Sequence, residues 1–286
     1  MSRLDINKTY KLYIGGKFPR TESGRYYTVK NSKGNLVANM CLASRKDFRN
    51  AVVSARKAQV AWANTSALNK GQILYRIAEM LEGRKEQFIN ELILQGESAK
   101  SAKLEVNTSI DRLVYFAGWS DKYQQFFSTV NTVSSLHFNF SNLEPVGVIS
   151  ILASENFSLL GLISLIAPAI VGGNTVIVLA SESKPLSAIS LAEVINSSDV
   201  PSGVVNILTG KKSELFSQMA SHLDVNSIIY CGNDENIIKS IGELASENIK
   251  RTVFYEKNDW NNEFYESPYL IEKTQELKTT WHPTGI

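Results

Sequence analysis

The sequence has few of the residues that build disulfide frameworks and metal centres. Its two cysteines, Cys41 and Cys231, are far apart, so neither a disulfide framework nor a cysteine metal cluster is expected. The three histidines, His137, His222 and His282, are scattered, with no pair at helical spacing and no accompanying carboxylate motif. We therefore expect no metal site and a reducing compartment, the cytoplasm.

Long apolar runs and excess charge are also missing. The net charge is only +2, without a basic patch, so nucleic acid is not expected as a partner. The most apolar stretch, Leu159 to Val171, is broken by Gly161, Ser164 and Pro168. It is shorter than the roughly 20 residues that a bilayer span requires, and the first residues contain no apolar core of a signal peptide. The sequence thus predicts no membrane span and a buried core helix at 159–171.

What is present is the composition of an ordinary globular protein. The chain has 286 residues, of which 43% are hydrophobic and 20% charged, enough for one large domain or two modest ones. We find no internal repeat, no low-complexity linker and no Gly-x-Gly-x-x-Gly loop.

The first 128 residues predict short strands followed by helices. An alternating segment at Lys11–Ile14 ends in a Gly15–Gly16 turn, and a second extended segment spans Arg25–Val29. Three helical patterns follow, with Ser44 as a candidate cap of the first. Their apolar residues recur at helical steps, which predicts core packing. These are Phe48, Val52 or Val53, and Ala55; Ile73, Ile77, Met80 and Leu81; and Ile110, Leu113, Val114 and Ala117.

From residue 145 onward, short apolar runs alternate with helical segments. The runs are Val146–Leu152, Thr175–Leu179, Val204–Leu208, Ser227–Tyr230 and Thr252–Tyr255. The helices between them are predicted to start near Ser158, Pro185, Lys211 and Asn233. This alternation is typical of βαβ units around a parallel sheet.

We therefore predict an α/β fold with a doubly wound parallel sheet of the nucleotide-binding type. The whole chain, 1–286, is expected to form a single module. Residues 1–128 supply N-terminal strands and a helical layer, and 145–256 supply the Rossmann-like sheet. Residues 129–144, of which 129–139 alternate in strand fashion, and residues 259–286 are expected to form a small β arm.

Several sequence blocks carry a resemblance to a known family. They are Glu144–Val148, Leu165–Ala169 with Gly172–Val176, Val200–Asn206 with Gly210, and Ile228–Gly232. In this order and at this spacing they resemble the signatures of the aldehyde dehydrogenase superfamily. The segments Asn248–Val253 and Lys278–Gly285 resemble the non-catalytic C-terminal module of the two-module aldehyde dehydrogenases, family sixteen. The resemblance implies a truncated module without the catalytic domain.

The family's nucleophile and general base have no clear counterpart. The family attacks aldehydes with a cysteine thiolate, but no cysteine follows Cys231. Cys231 is left as either a substitute nucleophile or a small buried residue. At the position of the family's basic glutamate the chain has Tyr255, and Glu256 comes one step later, where a strand presents its opposite face. We therefore expect no activity from the chain alone, although the family is enzymatic.

Four residues match the family's remaining site positions. Asn156 matches the oxyanion-donating asparagine, or is a turn or helix-capping residue. Glu182 matches the acid that holds the adenosine ribose, and Gly232 with Asn233 matches the pyrophosphate turn. The resemblance implies that these three are remnants of a cofactor site, because Lys184 is offset and solvated and a bulky Ile237 replaces a glycine, at the opening of a helix. Binding of NAD or NADP is expected to be weak, and no cofactor is required.

The resemblance also gives the arm a role, since the family assembles through a hairpin before the Glu-Pro-x-Gly-Val strand and through its last strand. Apolar residues of the arm are expected to be exposed in a monomer; they are Val130, Val133, Leu136, Phe138, Phe140 and Trp281. Alternatively, the arm strands close the module's own small sheet.

Three functional hypotheses remain at this stage. The first is an inactive module that forms homo-oligomers, or hetero-oligomers with a complete aldehyde dehydrogenase. The second is an NAD(P)-dependent oxidoreductase acting on an aldehyde, with a nucleophile supplied by a partner or by Cys231. The third is a nucleotide-binding sensor built on Glu182 and Gly232.

Overall fold

The computed structural model describes residues 9–31, 33–256 and 259–285. The helices are α1 (Arg45–Ala63), α2 (Ala67–Gly83), α3 (Lys85–Leu94), α4 (Ala99–Trp119), α5 (Tyr123–Phe127), α6 (Leu160–Val171), α7 (Leu186–Asn196), α8 (Lys212–Ser221), α9 (Glu235–Ser246) and α10 (Tyr269–Glu272). The strands are β1 (Thr9–Tyr10), β2 (Tyr26–Lys30), β3 (Leu36–Cys41), β4 (Thr129–Asn131), β5 (His137–Pro145), β6 (Val148–Leu152), β7 (Thr175–Leu179), β8 (Val205–Leu208), β9 (Ser227–Cys231), β10 (Arg251–Tyr255) and β11 (Gln275–Pro283).

The central sheet confirms the predicted α/β fold. Its five strands run parallel in the order β10-β9-β6-β7-β8. Every residue of β6, β7 and β9 is buried, which explains their uninterrupted apolar runs, because a parallel sheet is covered by helices on both faces. The chain builds outward from β6 in both directions, so the strand order reverses between β6 and β9. Ligands of doubly wound folds bind at such a reversal, beyond the carboxyl ends of the strands.

Helix α6 is the apolar centre of the molecule. All of its residues are buried, including Pro168, as predicted for 159–171. Its first amides are satisfied from another element: the backbone N–H groups of Leu159 and Leu160 donate to Glu105 Oε1 of α4, at 2.9 and 3.2 Å. Without Glu105 these N–H groups would have no acceptor at a buried helix start. This role accounts for a carboxylate in the core of the helical layer.

The N-terminal helical layer differs in detail from the prediction. Ser44 caps α1 and forms a capping box with Asp47. Val52 is buried, whereas Val53 is exposed, which settles the alternative that the sequence left open. Val114 was expected in the core but is exposed, because the buried face of α4 passes through Arg112 and Glu105 instead.

The β arm forms a sheet of its own. Strands β11, β5 and β4 pair antiparallel in that order, and we call this unit the arm sheet. The pairing of β11 with β5 runs from Gln275 opposite Pro145 to Pro283 opposite His137. Residues 132–136 leave the strand, so the alternating run at 129–139 is a hairpin rather than one strand. The arm strands therefore do form a small sheet of their own, with β11 and β4 as its two edge strands within the described chain.

Residues 259–274, which we grouped with the arm, lie elsewhere. This bridging segment carries the chain from β10 to β11 and buries Trp260, Tyr265, Leu270 and Ile271 in the main core. Gly161 makes room for it, because a Cβ there would lie 2.9 Å from the indole nitrogen of Trp260. The segment packs on the core because its large apolar side chains are removed from water when they contact the residues of α6.

No helix among residues 9–31, 33–256 and 259–285 is both long and apolar enough to cross a membrane.

Candidate functional site

A cleft lies at the point where the strand order of the central sheet reverses. It encloses about 690 Å³ between the carboxyl ends of β6 and β9, the loop after β7, the start of α9 and strand β2. Its ionisable side chains include Lys30, Glu155, Glu182, Lys212 and Asp234. A cleft of this size at this place in a doubly wound sheet is where a small-molecule site is expected.

Glu155 is the most heavily bonded side chain of the cleft. Its Oε2 accepts hydrogen bonds from Ser181 Oγ at 2.7 Å, from Ser183 Oγ at 2.6 Å and from the Ser183 backbone N–H at 3.0 Å. Its Oε1 accepts the Glu182 backbone N–H at 3.0 Å and lies 2.7 Å from Lys212 Nζ. The loop after β7 is thus folded around a carboxylate that the loop after β6 supplies.

The electrostatics of Glu155 follow from these partners. Burial alone would raise its pKa, but the charge and hydrogen bond of Lys212, together with the bonds from Ser183, lower the pKa to about 2. Lys212 lies at the first turn of α8 and is 14% exposed. Glu155 is therefore ionised at neutral pH, and its negative charge is matched by one buried cation.

Glu182 and the turn at the end of β9 line the same cleft, as the family resemblance implied. Glu182 Oε2 accepts the backbone N–H of Lys212 at 3.3 Å. Gly232 and exposed Asn233 also lie along the wall. A side chain at Gly232 would collide with the ring of Tyr230. The structure thus brings Glu182, Gly232 and Asn233 together along one cleft.

The start of α9 is already occupied by a carboxylate of the chain. Asp234 Oδ1 accepts the backbone N–H groups of Asn236 and Ile237, at 3.0 and 3.3 Å. Since a helix N-terminus attracts anions through such N–H groups, Asp234 competes with any phosphate there. Ile237 lines the cleft beside it.

Asn156 lies at the mouth of the cleft and is exposed. Its backbone N–H donates to Ser154 Oγ at 3.2 Å. The side chain does not cap α6, because Glu105 takes the amides at that helix start. Asn156 is therefore not a helix cap but lies in a bend between β6 and α6, and its match to the oxyanion asparagine stays a prediction.

The cysteines are poorly placed for nucleophilic chemistry. Cys231 is buried at the end of β9, and burial raises the pKa of its thiol to about 12. Cys41 is also buried. Glu256 is exposed and follows Tyr255, which is buried. In the described residues, no cluster of three or more metal-ligating side chains occurs.

Lys184 differs from its prediction as a solvated residue. Its ammonium group forms an ion pair with Glu97 of the loop before α4, and both side chains are largely shielded. Its backbone N–H donates to Ser181 Oγ at 3.0 Å. Lys184 therefore belongs to the support of the loop after β7.

The importance of Glu155, Lys212 and Tyr27 in the cleft was not predicted from the sequence. Tyr27 Oη is enclosed in the wall of the cleft and, within the described residues, has no hydrogen-bond partner. A signal for Glu155 was present, since it is an acidic residue that closely follows the predicted apolar strand Val146–Leu152, at the carboxyl end of a parallel sheet strand. Lys212 and Tyr27 are far from Glu155 in sequence, and their proximity follows only from the sheet topology.

The arm sheet forms a second candidate surface. Val130 and Phe138 are 69% and 47% exposed and share one face with Phe140, whose ring lies 5.5 Å from that of Phe138. The other face presents Leu277 and Trp281, which are 62% and 57% exposed. Both faces of the arm sheet thus carry apolar side chains in water, a combination typical of interaction surfaces.

Comparisons with known proteins agree with this architecture. The sequence model of the aldehyde dehydrogenase family matches residues 18–255. Mouse cytosolic 10-formyltetrahydrofolate dehydrogenase is 32% identical over 260 residues, which cover 88% of this chain and 28% of that protein. Mouse retinal dehydrogenase 2 is 32% identical over 257 residues, covering 87% of this chain and 49% of the relative.

Solved structures give the same result. The chain superimposes on an NAD⁺ complex of an aldehyde dehydrogenase from Bacillus cereus with a TM-score of 0.82 and 25% identity, covering 86% of this chain and 50% of that one. PnpE from Pseudomonas sp. WBC-3 has the same TM-score and coverage at 28% identity. The chain therefore spans about half the length of these solved structures. It spans 28% of the length of mouse cytosolic 10-formyltetrahydrofolate dehydrogenase.

Proposed function

The chain belongs to the aldehyde dehydrogenase family, and from that membership we propose that it acts as a catalytically inactive module. It associates with itself or with a complete aldehyde dehydrogenase subunit, and it stabilises or regulates that assembly. The observation that carries this proposal is the arm sheet, whose two faces expose Val130, Phe138, Leu277 and Trp281. An open strand edge with apolar side chains favours pairing with another chain.

The absence of a usable nucleophile supports inactivity. The family chemistry needs a thiolate, but Cys41 and Cys231 are buried. With a pKa of about 12, the Cys231 thiol stays protonated at neutral pH. Glu256, the nearest acid to the family's base position, is exposed to solvent and directly follows the buried Tyr255.

We propose that the cleft holds NAD or NADP weakly at best. The family members with cofactor complexes share the fold, but here two carboxylates take the donors that an anionic cofactor would use. Glu155 holds the amides after β7, and Asp234 holds the start of α9. The residues therefore do not fit a tightly bound dinucleotide, and Glu182, Gly232 and Asn233 are remnants of its site.

The alternative is an NAD(P)-dependent oxidoreductase that acts on an aldehyde with a nucleophile from a partner chain. It predicts reduction of NAD with an aldehyde panel only when a partner is present. Cys231→Ala would not change that activity, since Cys231 is buried. We also place the protein in the cytoplasm, because its cysteines are free and a relative is named as cytosolic.

The association is tested by size-exclusion chromatography with light scattering. The protein is measured alone and mixed with a complete aldehyde dehydrogenase, together with Phe138→Glu in the arm sheet and the matched Phe264→Glu. Phe264 is 61% exposed but lies in the bridging segment. We expect a mass above that of the monomer, or a mixed complex, that is lost in Phe138→Glu and kept in Phe264→Glu. A protein that stays monomeric alone and forms no complex with the added dehydrogenase would refute the proposal.

A further inference from the structure

The loop after β7 presents converging donors to a single carboxylate. They are the hydroxyls of Ser181 and Ser183, the backbone N–H groups of Glu182 and Ser183, and the ammonium group of Lys212. Convergent N–H and O–H groups around one buried cation are the usual elements of an anion site. Here the anion is the chain's own Glu155.

We propose that this loop is a carboxylate-binding site and that Glu155 is its internal occupant, which a ligand carboxylate displaces into the cleft. The position of Glu155 supports displacement. Its side chain is 40% exposed along the cleft wall, compared with 14% for its partner Lys212. It also belongs to an irregular corner, in which Phe157 has a positive φ of 52°. Rotation of the side chain toward the cleft would leave the sheet and α6 in place.

The donor geometry selects a carboxylate as the ligand group. Oε1 of Glu155 receives the Glu182 amide and Lys212, and Oε2 receives the two serine hydroxyls and the Ser183 amide. Each of the two oxygens of a planar carboxylate thus has at least two of these donors. The third oxygen of a phosphate group would have no donor among them, so phosphate should bind less well.

The rest of the cleft indicates what the ligand carries besides its carboxylate. Apolar Val29 and Ile237 line the cleft, as does Tyr27. The enclosed Tyr27 Oη has no hydrogen-bond partner in the described chain, and such a group is costly unless a ligand or water satisfies it. The site therefore fits a small carboxylic acid with an apolar body and a polar group near Tyr27.

Displacement makes the affinity for small anions low in the wild type. A ligand must compete with a carboxylate tethered in the same site. Its apparent affinity equals its affinity for the open site multiplied by the fraction of molecules in which Glu155 is displaced. Acetate makes no contact beyond the site itself, so it should not compete measurably. Removing Glu155 should expose the site to acetate.

The test uses Glu155→Ala, which removes a group the size of acetate. Thermal unfolding and calorimetry are followed during titration with sodium acetate at constant ionic strength, with chloride as the balancing anion. We expect saturable binding to Glu155→Ala, at least about tenfold tighter than to the wild type, and a rise in Tm with acetate. Phosphate should bind more weakly than acetate.

Matched variants separate the site from general salt effects. Glu214→Ala removes a carboxylate that is ion-paired with Arg25 at 2.9 Å elsewhere on the surface, and it should show no acetate binding. Glu155→Ala combined with Lys212→Met should lose the binding. If Glu155→Ala is unfolded in chloride, acetate should restore its helical circular dichroism.

Equal responses of Glu155→Ala, Glu214→Ala and the wild type would overturn the proposal, as would phosphate binding that exceeds acetate binding. Failure of acetate to refold an unfolded Glu155→Ala would count against it in the same way. These readouts concern only the cleft, so their outcome does not depend on whether the arm sheet associates with a partner.

Discussion

Glu155 organises the loop after β7, which donates both side-chain and backbone hydrogen bonds to its carboxylate. Ser181 and Ser183 turn their hydroxyls toward it, and Lys212 supplies the opposite charge. In a similar way, the Asp234 carboxylate accepts hydrogen bonds from the first backbone N–H groups of α9. Each of these carboxylates takes N–H donors that an outside anion would need.

Cys231 should be unreactive in the native protein. Burial raises its pKa to about 12, so both the thiolate and the access that a disulfide-exchange reagent needs are lacking. We expect negligible labelling by such a reagent at pH near 8 without denaturant, and full labelling of both cysteines on unfolding. Asn233→Cys, an exposed position in the same cleft, is the positive control. Rapid native labelling of Cys231 would contradict the expectation.

Ile249 carries backbone strain that a substitution can relieve. It follows α9 with a positive φ of 55° and is 96% exposed, while the Lys250 backbone N–H donates back to the Ala245 carbonyl at 3.0 Å. Glycine is preferred at this position of a helix end, and β-branched residues are strained there. Ile249→Gly should raise the free energy of unfolding by about 1 kcal/mol, measured with urea.

Ile93→Gly is the control for that substitution. Ile93 is 39% exposed within α3, where the backbone is helical. There glycine should lower the free energy of unfolding by about 1 kcal/mol. The same sign in both variants would show that the positive φ of Ile249 is not the cause.

At the scale of elements, the bridging segment is held by one buried arginine of α4. Arg112 donates to the Tyr265 carbonyl at 2.6 Å, to Ser164 Oγ at 2.9 Å and to the Trp260 carbonyl at 3.3 Å. Its side chain is 1% exposed, and Glu266 lies 3.7 Å away. These contacts join α4, α6 and the bridging segment into one unit.

Arg112→Ala should therefore destabilise the protein strongly. The two carbonyls and the serine would lose their donor inside the core, at a cost of about 3 kcal/mol in the free energy of unfolding. Urea unfolding provides the measurement. Arg76→Ala is the control, because Arg76 is half-exposed and pairs with Glu79 on the surface, so its loss should change stability by less than about 0.5 kcal/mol. Equal effects would refute the anchoring role.

The Glu155 contacts should also make the free energy of unfolding decrease as the pH falls into the acidic range. The pKa of Glu155 is lowered from 4.5 to about 2 by its partners, so its contribution is present above the unfolded-state value and is lost as the pH falls toward 2. In Glu155→Gln the loss of stability over this window should be smaller than in the wild type. Thermal unfolding at a series of pH values checks this, with Glu214→Gln expected to follow the wild type.

The elements of the central sheet could be predicted because their burial is visible in local composition. Strands such as Thr175–Leu179 are continuous apolar runs, and no competing pattern obscures them. The buried face of α4 could not be predicted in the same way, because Glu105 and Arg112 belong to it, and charged residues usually lie outside. The contact of Glu155 with Lys212 joins distant segments, so only the fold brings them together.

At the scale of the whole molecule, the two candidate surfaces lie on different sheets. The cleft belongs to the central sheet, and the exposed apolar residues belong to the arm sheet. Ligand binding and association can therefore be altered separately by substitutions, which makes each proposal testable without disturbing the other.

Association through the arm should make stability depend on protein concentration. If the chain pairs with a second copy, mass action stabilises the native state, and the Tm should rise by about 1 °C for each tenfold increase in concentration. The Tm of Phe138→Glu should be independent of concentration, whereas Phe264→Glu should behave like the wild type. A wild-type Tm that is constant over a wide range would show that the chain does not self-associate and leave only pairing with a different subunit.

The distribution of tryptophans gives the protein built-in optical reporters. Trp62 and Trp260 are almost fully buried and Trp119 is partly buried against the core, whereas Trp281 projects from the arm sheet and is 57% exposed. A soluble quencher such as iodide will therefore extinguish mainly the emission of Trp281, and the core tryptophans will continue to fluoresce. Any molecule that covers the arm will protect that quenchable fraction, so occupancy of the surface can be read in the unlabelled protein by the wavelength and intensity of its own emission.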